Sequence, residues 1–220
     1  MLPVCRLLRA NISEVMNELK GYREFSELRE SSIKPRDLKM EGRTADVNRL
    51  NARVKMAKSF KGIQLDGYKE ETTAGYTGLF QVFLTYTAFE VLSKLFDCRP
   101  FMFARYYPAH PYDEVALTIR NCDSNWRFTD GLCDLLEEGG TRDALIDFKE
   151  GRLNNPLNFA QGIRHAFAHG HLTAHINKSD PKNIRVMCDA IDTLLLGIMD
   201  EEFYARVAPL HKEYVDKGIL

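Results

Sequence analysis

Apolar residues recur three and four apart in several stretches of this chain, the spacing of one face of an α-helix. Leu8, Ile12, Val15, Leu19 and Tyr22 form one such stripe and predict an amphipathic helix over 6–28, broken between Ser32 and Pro35. Val47, Leu50, Val54 and Ala57 predict a second helix over 43–61. Gly75 and Gly78 lead into an 18-residue run, 79–96, that is apolar on most sides. Its length favours a central buried helix, although Val82 to Tyr86 alone could pass for a strand. Arg99-Pro100 closes that run. Residues 99–128 show no clear period and read as an irregular excursion, with one short helix near Asp113–Arg120. Two short helices are expected over 129–150, on either side of Gly139-Gly140.

The last two elements carry strong start signals. Asn155-Pro156 and Asp180-Pro181 each place a capping residue type before a proline, which suits the first turn of a helix. After the second, Met187, Ile191, Leu194 and Ile198 form a stripe spaced +4, +3, +4. The expected fold is therefore all-α, an up-and-down bundle of four to five main helices with extra N-terminal helices. Residues 1–70 are expected to form a helical hairpin extension packed on a core bundle over 71–220.

Composition narrows the class. The chain has 220 residues, 45% of them hydrophobic, enough to bury a sizeable core. Its net charge of −1 gives no global signature of a nucleic-acid binder. The segment from Lys34 to Lys61 is locally basic, with nine Lys or Arg against three Asp or Glu. It reads first as a solvated helix face, and second as a surface for an RNA backbone or a partner. No apolar run approaches the ~18 residues needed to span a bilayer, so no membrane contact is expected. Five cysteines, at 5, 98, 122, 133 and 188, are scattered without a C-x-x-C pair, which fits a reducing, cytoplasmic setting.

The stretch with most chemistry is Ile163-Arg164-His165-Ala166-Phe167-Ala168-His169-Gly170. Arginine supplies a permanent cation and histidine a group that exchanges protons near neutral pH. Phe159, Ile163, Ala166, Phe167 and Gly170 share one arc of this helix. On a straight helix Arg164 and His169 lie about 110° to either side of that arc. They converge on one phosphate only if the helix ends near Gly170, or if a second copy contributes. A metal reading competes, because His165 and His169, like His171 and His175, are one turn apart. Ala166 stands where an H-E-x-x-H site would need glutamate, so no metal is expected. Asp189, Asp192, Asp200, Glu201 and Glu202 read as a solvated face, and Cys188 as packing. Gly139-Gly140-Thr141 lacks the G-K-[ST] of a phosphate loop. Tyr106, Tyr107, Tyr112 and Trp126 read as aromatics that pin a long loop to the body.

The motif stretch resembles the R-x4-6-H signature of the HEPN family, with Arg164, His165 and His169 on its three marked places and Gly170 following. Tyr86-Thr87-Ala88-Phe89-Glu90-Val91-Leu92 is similar to the aromatic, glutamate-bearing helix beside that motif in many members. The resemblance spans roughly 75–205. It implies a helical homodimer with both motifs lining one cleft, and RNA cleavage without cofactor or metal through attack of the 2′-hydroxyl. Arg164, His169 and His165 would be catalytic, with Glu90 and Tyr86 supporting them. It further implies a toxin or defence effector with RNA as substrate, an antitoxin protein as candidate partner and no DNA target. The alternative is a non-catalytic HEPN module for interaction or nucleotide binding. One toxin branch of the family carries a tyrosine two places after the motif histidine; His171 stands there and argues against neutralisation by nucleotide transfer.

Overall fold

In the computed structural model, which describes residues 17–98 and 112–220, the protein is an all-α bundle. Eight helices lie among these residues: α1 Tyr22–Glu30, α2 Thr44–Ser59, α3 Glu70–Leu95, α4 Tyr112–Cys122, α5 Arg127–Leu135, α6 Gly140–Lys149, α7 Leu157–Ala168 and α8 Pro181–Asp216. Short 3-10 turns at Pro35–Leu38 and Ile176–Lys178 complete the chain order. No helix is long and apolar enough to cross a membrane among the described residues. Cys5, the first turns of the 6–28 stripe and the segment holding Tyr106 and Tyr107 fall outside them.

The two longest helices, α3 and α8, form the spine. Helices α2 and α7 pack along α3, α4 and α1 pack on α8, and α5 and α6 brace α7. The α8 stripe of Met187, Ile191, Leu194 and Ile198 is buried to 2% exposure or less, as its spacing predicts. Burying a side chain of this kind contributes about 1.5–3 kcal/mol. Val47, Leu50 and Val54 of α2 and Phe25 and Leu28 of α1 join the same continuous core as α3, α7 and α8. Trp126 packs on that core with its ring edge-on to Phe148, so it does anchor its loop.

The Asp180-Pro181 signal acts as expected, whereas at Asn155-Pro156 the proline is itself the N-cap of α7 and Asn155 stands one place before it. Asp180 caps α8 by accepting a hydrogen bond from the Lys182 amide at 2.9 Å. The Asn155 side chain accepts from the Leu157 amide at 3.1 Å, just before α7.

Three further expectations are corrected. The 6–28 stripe is not one helix. Gly21, at φ 91, interrupts it one residue before α1. The amides of Leu19 and Lys20 are instead satisfied by Asn51 and Asp200. Gly75 and Gly78 do not precede the central helix but lie inside it, because α3 begins at Glu70. A Cβ on Gly75 would stand 2.9 Å from the Cβ atoms of Ala174 and Pro181, and one on Gly78 2.9 Å from Cys188 Cβ. These glycines let α8 and its lead-in approach the α3 backbone. The acidic positions of α8 are not a uniformly solvated face either. Asp200 pairs with Lys58 at 2.7 Å, Glu202 is buried, and Asp192 accepts hydrogen bonds from Thr85 and from Gln81 Nε2 at 3.1 Å. The partners come from α2 and α3, which a helical projection of α8 alone does not contain.

Candidate active site

The end of α7 builds the site. His169 is its C-cap and Gly170 follows at φ 72. The Gly170 amide bonds the Phe167 carbonyl at 3.0 Å and the His171 amide bonds Ala166 at 3.1 Å. This is a Schellman termination, which glycine favours because it adopts the left-handed conformation without penalty. Two residues beyond it, Leu172 is buried and holds the departing chain against the core. The helix thus stops at the motif histidine.

Arg164 lies one and a half turns earlier, on the side facing α3. Its guanidinium reaches Glu90 at 3.3 Å from Oε1 and 3.4 Å from Oε2. Both side chains are about one-third exposed, at 36% and 34%. The Arg164 Nε is buried and makes no hydrogen bond. The pair borders a cleft of about 260 Å³ that Tyr86 and His165 also line. Tyr86 is 2% exposed, and burial pushes its phenol well above the usual range, with the nearby Glu90 carboxylate adding to the effect. It is a hydroxyl donor at any physiological pH.

Of the five residues singled out from the sequence, four (Arg164, His165, Glu90 and Tyr86) line this cleft together. His169 does not line it. It is exposed at the helix end, with its ring centroid 4.6 Å from that of His165. The His171 ring continues the row, 6.3 Å from His169 and 18° from parallel. His175 is apart from this row, its Nε2 in a 2.9 Å hydrogen bond with Thr72 Oγ1 at the start of α3. Among the described residues, no group of three or more His, Cys, Asp or Glu is placed to hold a metal ion.

The far wall of the cleft was not legible as part of the site. It is made by Leu136 to Thr141, the turn between α5 and α6. Gly139-Gly140-Thr141 has no phosphate-loop motif, yet it opens α6 beside Arg164, with no side-chain cap at Gly139. Only the glycine pair before a periodic stretch could have signalled it. The basic helix α2 contributes less free charge than its sequence suggests. Arg53 donates to the Thr87 carbonyl at 2.7 Å, Lys58 is taken by Asp200, Lys55 by Glu18 and Arg49 by Asp46. A second cleft, between α2 and the end of α3, meets the first at Glu90.

No family model matches this chain, and no curated protein and no solved structure matches it significantly.

Proposed function

We propose that this protein is a metal-independent endoribonuclease of the HEPN type, acting as a toxin or defence effector. The observation that carries the reading is the ending of α7: the His169 ring centroid stands 4.6 Å from that of His165, which shares a cleft with the Arg164 guanidinium oriented by Glu90. His169 takes the proton from a 2′-hydroxyl as that oxygen attacks the adjacent phosphorus. The new P–O2′ bond forms as the P–O5′ bond breaks. The departing 5′-oxygen receives a proton from a second imidazole, that of His165 or of His169 in a second copy. Arg164 stabilises the charge gathering on the non-bridging oxygens.

A homodimer with both motifs at one cleft fits this chemistry, because His169 does not line the cleft that holds Arg164. The partly exposed rings of Phe80, Phe83 and Phe167, 5.8–6.0 Å apart, form an apolar face on the same α3–α7 side and suit the contact. RNA is the substrate, and an antitoxin protein is the further partner this reading calls for.

A second reading, a non-catalytic HEPN binding module, draws on one observation: Glu90 already neutralises Arg164. Incubating the protein with mixed RNA in EDTA separates the two. Fragments ending in 2′,3′-cyclic phosphate, lost on Arg164→Ala and on His169→Ala, support the enzyme. Intact RNA with retained nucleotide binding supports the module.

A further inference from the structure

We infer that the cleft between α3, α7 and the start of α6 is a base-recognition subsite that selects guanine next to the scissile phosphate. The inference deepens the ribonuclease reading and rests on it for the word scissile, while the binding itself stands on the cleft alone. At about 260 Å³ the cleft lies below the ~300 Å³ at which drug-sized sites begin, so one base fits and a dinucleotide does not.

Its charge disfavours a phosphate at the end lined by Glu137 and Glu138, which leaves the scissile phosphate to the Arg164–His165 side. Glu90, Glu137 and Glu138 line it against Arg164 as the one permanent cation, and Glu90 is spent on Arg164. An anion entering would meet two further carboxylates. A neutral ring with hydrogen-bond donors on one edge and acceptors on the other meets complementary groups.

The donors stand on the inner side. The Tyr86 hydroxyl, on a residue 2% exposed, has no hydrogen-bond partner among the described residues and borders the cleft. The first turn of the ten-residue helix α6 adds backbone N–H groups with no side-chain cap. A Cβ placed on Gly139 or Gly140 would touch nothing within 4 Å, so that backbone is open to close approach. The acceptors stand at the rim, where Glu137 and Glu138 are exposed and take part in no ion pair.

Guanine alone among the bases pairs an acceptor edge, O6 and N7, with a donor edge, N1–H and the N2 amino group, that a carboxylate accepts two-pronged. Adenine would turn its N1 lone pair toward the carboxylates, and its amino group would take the place of O6 against the inner donors.

The test is a titration of the full chain with the monophosphates of guanosine, inosine and adenosine, and with inorganic phosphate, followed by amide NMR. The guanosine nucleotide is expected to shift the Gly139, Gly140 and Thr141 amides and to bind about tenfold or more tighter than the adenosine nucleotide. Inosine, lacking the N2 amino group, falls between them. The Glu137→Ala/Glu138→Ala double variant, altered at exposed turn positions, should keep its remaining amide spectrum and lose the preference for guanosine. Equal binding of guanosine and adenosine nucleotides, the same amide shifts from inorganic phosphate alone, or no binding overturns the inference. RNA cleavage in EDTA is read separately. Cleavage without guanine preference sinks the subsite and spares the enzyme; guanosine binding without cleavage does the reverse.

Discussion

Asp192 carries a carboxyl whose surroundings are at odds with its charge. Burial pushes its carboxyl up to about 6, against lowering by the Thr85 and Gln81 hydrogen bonds, with Asp189 raising it further and Arg185 opposing. The unfolded chain holds the same group near its ordinary value of 3.8. The folded state therefore binds the proton more tightly. The associated stability is fully present below pH 3.8 and is lost as the pH rises through about 6. It amounts to at most about 3 kcal/mol, since each tenfold gain in proton affinity is worth about 1.4 kcal/mol. Asp192→Asn removes the ionisation and keeps an acceptor for Thr85. Thermal melts should show the variant gaining on the parent at pH 7.5 relative to pH 5; a gain independent of pH would contradict this account of the carboxyl. Within the proposed site, Arg164→Lys keeps the charge but loses the planar fork. RNA cleavage in EDTA should then fall about as far as with Arg164→Ala, and full activity in the lysine variant would reduce the guanidinium to a point charge.

At the scale of elements, the α8 stripe and its start signal are legible because they depend on neighbours in sequence. The α8 stripe and the Asp180 cap involve residues at most four apart. The break at Gly21 was not legible, since the groups that satisfy Leu19 and Lys20 stand 32 and 180 positions away. The cleft divides the same way. Arg164 and His165 announced themselves by residue type, whereas the turn that faces them is placed by α6 packing on α7. The same logic makes Gly78 informative. Alanine usually stabilises a helix interior by about 1 kcal/mol relative to glycine. Here the added Cβ meets Cys188 Cβ at 2.9 Å, and overpacking typically costs about 1–3 kcal/mol. Gly78→Ala should lower the unfolding midpoint in urea, and a rise would show that α3 and α8 can separate freely. Gly170→Ala faces no clash but must hold φ 72, which costs roughly 1–2 kcal/mol for an L-residue. It should lower both stability and, by displacing His169, any RNA cleavage. Unchanged cleavage would show that the Schellman ending does not position the imidazole.

For the whole molecule the question is how the two halves of the chemistry meet. One chain offers Arg164, His165, Glu90 and Tyr86 in a single cleft, with His169 at its edge. Two chains sharing the Phe80, Phe83 and Phe167 face would bring a second pair of imidazoles to the same place. Sedimentation should therefore give a dimer, and Phe83→Asp should yield a monomer that still folds, because the ring is only partly buried. A monomeric parent would leave proton transfer to His165 and His169 of one chain. The central claim, that guanidinium and imidazole cleave RNA through its own 2′-hydroxyl, is tested most directly by product chemistry. In EDTA, an RNA cut by the protein should end in 2′,3′-cyclic phosphate and 5′-hydroxyl, and a 2′-deoxy nucleotide at the cleaved position should block the reaction. Intact RNA, 3′-hydroxyl ends, or cleavage beyond a deoxy nucleotide would contradict it.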